Sequence, residues 1–313
     1  MTNKRTISFN EELHRYTDEY NKVYTSVTTV IQNYYPKFNE DYWAGVKAKE
    51  YNISKEAVLK IWADGRNAAC AKGTIEHKLL EDSVINSRVK QDKISLFPKG
   101  FIKPTQEKLD VTLLASSPLA LKYPKILFKL MEFIDAGYTV YVEKRVYWAE
   151  FLIAGTIDCL LVRGGKFWIL DWKTNKDELK FKSGYYKKVN GIKTNQWVDK
   201  KEYFFDPLGN LENCKGNIYT MQLSLYAYLL ELWGLQCEGL IIYHIRDVPA
   251  LDNENKIVYD ANKNIVMKKI LTDYKIPYLK QACQLLTIDH KNVLNGINTN
   301  KTNNNLTINF GIT

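Results

Sequence analysis

Two short stretches hold the residue types best suited to chemistry: Ala154-Gly155-Thr156-Ile157-Asp158 and Ile169-Leu170-Asp171-Trp172-Lys173. Between them lies Arg163-Gly164-Gly165-Lys166, and a Gly-Gly pair suits a two-residue hairpin turn that needs positive φ. Counting outward from that turn sets Asp158 opposite Asp171, with β-carbons about 5 Å apart. Lys173 lies two residues further on and projects to the same face. Like charges opposed across a sheet destabilise it, and partial burial adds a desolvation cost. A divalent cation between the carboxylates removes that penalty, and oxygen ligands suit Mg²⁺ or Mn²⁺ better than Zn²⁺. A cation beside a lysine can polarise a phosphoryl oxygen, activate a bound water and offset transition-state charge. That is the chemistry of phosphodiester cleavage. The competing reading makes Asp171 and Lys173 a surface pair at a strand end, with Asp158 capping a turn.

The flanking residues favour the first reading. Leu160, Val162, Phe167 and Ile169 fall on the carboxylate face, and Ile157, Cys159, Leu161, Trp168, Leu170 and Trp172 on the other. A sheet apolar on both faces is covered on both, as in a layered α/β domain. Strands are expected at Thr139 to Trp148, Phe151 to Arg163, Lys166 to Lys173 and about Gly239 to Ile245. Helices are expected from Ser54, from Thr74 to Val84, from Ile126 to Ala136, from Tyr219 to Trp233 and from Tyr278 to Leu286. The first thirty residues suggest a short hairpin, followed by a helix capped by Ser26. Pro98, Pro104, Pro118 and Pro124 interrupt the region between. Residues 291–313 hold eight Asn and no acid, so a flexible tail is expected, with Leu306, Ile308, Phe310 and Ile312 as a candidate edge strand.

The chain has 313 residues, 45% of them apolar and 25% charged, which is ordinary globular composition. Its 44 Lys and Arg exceed 35 acids, for a net charge of +9. That excess favours a polyanionic partner, nucleic acid first. Met1 to Leu13 lacks an apolar segment, so no secretory signal is expected, and no apolar run is long enough to span a membrane. The five cysteines, Cys70, Cys159, Cys214, Cys237 and Cys283, are scattered, which suggests a reduced, cytoplasmic setting.

The two central motifs resemble those of the PD-(D/E)XK nuclease superfamily, specifically its RecB-like exonuclease branch. The resemblance implies a restriction-endonuclease-like core, a central mixed sheet flanked by helices, with an N-terminal hairpin and helical subdomain. It makes Asp158 and Asp171 metal ligands and Lys173 catalytic. Lys72-Gly73-Thr74-Ile75-Glu76-His77 resembles the branch's helical histidine motif, in which the histidine approaches the metal. Met221-Gln222-Leu223-Ser224-Leu225-Tyr226 resembles its Gln-x-x-x-Tyr motif, beside the active site. Ser26-Val27-Thr28 is similar to the opening segment of phage members and of the mitochondrial genome maintenance exonucleases. The likeness spans about residues 72–245, with the motifs in the family's order. One nuclease domain over 1–290 follows (a hairpin and helical part, 1–137, and a core, 138–290), then the Asn-rich tail.

Several residues carry two readings. His77 is a metal ligand or a hydrogen-bonded structural histidine. Gln222 and Tyr226 share a helix face and either position DNA or satisfy each other. Glu143 resembles an acidic position that some members use near the metal, with a surface salt bridge to Lys144 or Arg145 as the alternative. The segment from Lys176 to Tyr203 carries eight Lys against four acids. Aromatics interleave with them, which suits phosphate contacts and base stacking. Lys180, Lys182, Tyr185, Tyr186, Lys187 and Lys188 are the DNA-binding candidates, and an exposed hairpin of solvated lysines is the alternative. The resemblance implies an Mg²⁺- or Mn²⁺-dependent DNA exonuclease acting at a single-stranded end. The setting would be phage-type replication, recombination or repair in a host cytoplasm, with a recombinase, helicase or polymerase as partner. A non-catalytic DNA-binding or assembly protein, or an endonuclease of the same superfamily, are the alternatives. Neither an iron–sulfur cluster nor a nucleotide cofactor is expected, given the cysteine spacing and the lack of a phosphate-binding Gly-Lys loop.

Overall fold

The computed structural model describes residues 5–90, 107–189 and 192–297. Three short strands open the chain: β1 (Ser8–Asn10), β2 (Arg15–Thr17) and β3 (Val23–Ser26). They form an antiparallel meander rather than the single hairpin expected. Asp18 shapes the second turn, its carboxylate accepting from Tyr20 N, Lys22 N and the Tyr24 hydroxyl. Ser26 then caps α1 (Val27–Gln32), its hydroxyl accepting from Thr29 N at 3.0 Å.

Two long helices follow, α2 (Glu40–Tyr51) and α3 (Lys55–Ile85), the latter capped by Ser54. The sequence pattern suggested two helices over the stretch that α3 spans, and did not show α2. The join is physical: Ala68, Ala69 and Ala71 favour continuation. Gly73 serves a close approach instead of a break, since a Cβ there would lie 3.1 Å from Thr174 Oγ1.

The strands β4 (Arg88–Lys90) and β5 (Glu107–Leu109) pair antiparallel. The helices α4 (Val111–Ala115), α5 (Pro118–Lys122) and α6 (Pro124–Asp135) come next. Pro118 and Pro124 occupy first-turn positions, where the missing N–H costs nothing. Pro98 and Pro104 lie outside the described residues.

The core strands are β6 (Thr139–Trp148), β7 (Ile153–Arg163) and β8 (Lys166–Lys173). A separate hairpin, β9 (Gly184–Val189) with β10 (Ile192–Asp199), precedes α7 (Lys215–Leu232). Then come β11 (Gln236–Pro249), β12 (Met267–Ile276) and α8 (Lys280–Leu294). The strand β12 was not foreseen: Met267-Lys268-Lys269-Ile270-Leu271-Thr272-Asp273 does not alternate. The helix α8 runs past Leu286 and takes in residues 291–294, so the tail does not begin at 291. Leu306, Ile308, Phe310 and Ile312 lie outside the described residues.

The fold is α/β, a large mixed sheet flanked by helices. Its strand order is β1-β2-β3-β7-β8-β11-β12, with β6 also paired to β7. The β3–β7 and β8–β11 pairings are parallel and the rest antiparallel. The helices α1, α7 and α8 cover one face around Leu160, Val162, Phe167 and Ile169. The other face, with Cys159, Leu161, Leu170 and Trp172, packs against α6 and the end of α3. This is the division of faces that the turn implied, except that Ile157 joins the α7 side, at a point where β7 has already parted from β8. Because β3 pairs with β7, the N-terminal strands and the core strands share one sheet.

Candidate active site

The site is built around a change of partner along β7. One edge pairs with β8 over Cys159–Arg163 and with β3 at Ile153 and Ala154. Between these stretches, residues 155–158 have no ladder partner on that edge among the described residues. On the other edge β6 pairs at Val142–Cys159 and Lys144–Ile157, skipping Glu143. The register is the same on both sides of the gap, so Glu143 lies level with Asp158, in a left-handed conformation with φ +48°.

The Gly164-Gly165 turn holds Arg163 against Lys166 as expected, and the ladder ends at Cys159–Leu170. That is one step short of the Asp158–Asp171 pair. There the Asp158 carboxylate itself accepts the Trp172 N–H at 2.9 Å. Three acids, Glu143, Asp158 and Asp171, thus sit level on β6, β7 and β8. The Arg145 charge lowers the Glu143 pKa, but only against larger opposing effects.

From above, α3 brings in His77, with Nδ1 3.6 Å from Asp158 Oδ2. Ligand atoms of His77, Glu143 and Asp158 all fall within 4.8 Å of one another. Asp171 is buried, and its Oδ2 lies 2.6 Å from Lys173 Nζ. That oxygen accepts no well-aligned hydrogen bond. The Lys173 ammonium also stands 4.8 Å above the Tyr219 ring, whose hydroxyl donates to Asn175 at 2.8 Å.

The electrostatics follow from this crowding. Burial raises the Asp171 pKa; Lys173 opposes the rise and Asp158 adds to it. Glu143 keeps part of its side chain in solvent, yet its carboxyl is pushed up to about 8. Desolvation is the first cause, then the charges of Asp158, Glu81 and Asp171. Burial works against the Lys173 ammonium, but Asp171 and Asp158 outweigh it and raise its pKa. Carboxylates crowded in this way are what a divalent cation stabilises. The donor set is mostly oxygen with one imidazole, which fits Mn²⁺ and, through the carboxylates, Mg²⁺.

Tyr226 packs at the open edge of β7, where a Cβ on Gly155 would fall 2.5 Å from its Cε1. Gln222 Nε2 donates to the Tyr226 hydroxyl at 3.1 Å, so the two do satisfy each other, next to the carboxylates. In the β9–β10 hairpin, Lys182, Tyr185 and Lys187 are exposed. Lys180 is engaged internally, its Nζ 4.3 Å from the Tyr186 ring centre and 4.5 Å from that of Trp197. The Lys188 side chain lies outside the described residues.

The sequence reading did not assign Tyr219 to the site, although Tyr219, Gln222 and Tyr226 recur at helical spacing and share a face. Glu81, four residues after His77 on the same helix, adds its charge to the Glu143 carboxyl. Compared with protein-family models and with curated proteins, the chain matches none. Among the described residues no helix is long and apolar enough to cross a membrane.

Proposed function

We propose that this protein is a divalent-metal-dependent DNA exonuclease of the PD-(D/E)XK superfamily, in its RecB-like branch. The observation that carries the reading is the level row of Glu143, Asp158 and Asp171, closed by His77 above and Lys173 alongside. Folding alone gives no reason to set three acids together in a partly buried sheet.

Asp158 and Asp171, with His77 and Glu143, would hold the cation. When bound, it supplies Lewis acidity toward a phosphoryl oxygen and a nucleophilic water at neutral pH. Lys173 has a raised pKa, so it acts as a fixed positive charge that orients water and offsets phosphoryl charge. The Tyr219 face and the Asp171 carboxylate keep that ammonium in place. Gln222 and Tyr226 border the gap where the strand passes. On the hairpin, Lys182, Tyr185 and Lys187 offer phosphate and base contacts.

The preference for exonuclease over endonuclease rests on the motif likeness, as does the link to phage-type replication, recombination or repair. The test is digestion of 5′- and 3′-labelled oligonucleotides with Mg²⁺ or Mn²⁺, beside closed circular single-stranded DNA. Products from linear DNA alone are expected. Cut circles identify an endonuclease, and binding without products identifies a non-catalytic DNA-binding protein.

A further inference from the structure

The strand β11 runs parallel to β8 in a register that sets Ile242 beside Asp171 and His244 beside Lys173. His244 and Arg246, two residues apart, extend the carboxylate face toward the sheet end. His244 has no exposed surface. Its Nε2 lies 3.1 Å from the Asn175 carbonyl, and a carbonyl only accepts, so Nε2 carries the hydrogen. Its Nδ1 is sealed from solvent with no partner. Arg246 repeats the pattern: its Nε is buried and unpartnered. Among the described residues its guanidinium makes no hydrogen bond or ion pair.

The opposite face of the same strand is a useful contrast. There Asp247 pairs with Lys72 and Lys269. Beside it Glu76 pairs with Lys122 and Lys269 and accepts from Tyr123. Those charges are all answered by the fold. The acid that acts on His244 is Glu178, which is solvent-exposed after Lys173 and forms no ion pair with Arg246. A half-buried guanidinium left unanswered costs desolvation without return, and its planar fork matches phosphate oxygens.

We infer that Arg246 forms a phosphate subsite one strand over from Lys173, holding a neighbouring phosphate of the substrate strand. The two α-carbons of Lys173 and Arg246 stand roughly 8 Å apart by strand geometry. The inference rests on the nuclease reading for the owner of the phosphate.

The test is fluorescence anisotropy of a labelled oligothymidylate with the full chain in EDTA, at salt from about 50 to about 200 mM. Arg246→Gln is expected to weaken binding about threefold to tenfold and to lower the salt slope by about 0.7, one single-strand phosphate. Arg246→Lys is expected to keep the slope. Equal affinity and slope in wild type and Arg246→Gln overturn the subsite, whatever the cleavage assay shows. Thymidine monophosphate that stabilises the wild type but not Arg246→Gln, with oligonucleotide binding equal in both, overturns the substrate-strand assignment in favour of released product. A wild-type chain that binds DNA through Arg246 yet leaves labelled ends intact with Mn²⁺ overturns the nuclease reading and supports the subsite. No measurable wild-type DNA affinity overturns both.

Discussion

The Tyr226 ring fills the space that a side chain on Gly155 would need, with Cε1 2.5 Å from where the Cβ would stand. Tyr226 is buried, so its ring cannot swing into solvent. Gly155→Ala is expected to cost about 1–3 kcal/mol, the usual penalty of overpacking, read as a lower urea midpoint. An unchanged midpoint would show that the ring is not fixed against β7.

Asp171 and Lys173 are an enclosed ion pair. Breaking such a pair from one side costs about 3–5 kcal/mol, so single alanine variants test folding and chemistry together. The double variant Asp171→Asn with Lys173→Met removes both charges. It is expected to keep a cooperative unfolding transition and to lose cleavage by roughly a thousandfold or more. Cleavage at the wild-type rate by the folded double variant would remove both residues from the site.

Glu143 raises the free energy of the metal-free site through desolvation first and then through the charges of Asp158, Glu81 and Asp171, and Glu143→Gln relieves both. In EDTA the variant is expected to melt at a higher temperature than the wild type. With Mn²⁺ added, its gain in melting temperature is expected to be smaller, because a ligand is lost. A variant with an undiminished Mn²⁺ response would place Glu143 outside the ion's reach.

Asp18 gives the N-terminal meander a defined pH dependence. Burial alone would raise its pKa; the Lys22 and Tyr20 N–H groups, the Tyr24 hydroxyl and Arg5 outweigh burial and lower it. A lowered folded pKa means its contribution is full above the ordinary carboxyl value, about 3.9, and is lost as pH falls through the folded value. Asp18→Asn is expected to be about 1–2 kcal/mol less stable at neutral pH. The two unfolding curves are expected to converge in acid. A gap that persists at about pH 2 would contradict this account.

Much of the site was legible because turns and caps are local. Gly164-Gly165 set the β7–β8 register, and with it the level placement of Asp158 and Asp171. Ser26 and Ser54 marked their helices by the same logic. What escaped depends on distant contacts. The level placement of Glu143 needs the β6–β7 register and a left-handed turn at one residue, neither written in a pattern around it. The continuity of α3 was hidden by Gly73, whose reason is Thr174, a hundred residues on. The strand β12 is held by β11, not by alternation of its own. Arg246 carries no motif and stands out only once its lack of partners is seen.

Residues 5–26 border the gap as directly as the core strands do. The strand β3 takes over the edge of β7 where β8 leaves it, and Tyr16 reaches across to share a hydrogen bond with Thr156 at 2.9 Å. Trimming the chain to its motif-bearing portion would strip one wall from the crevice and bare a ribbon of unsatisfied amides, ready to stick to another molecule.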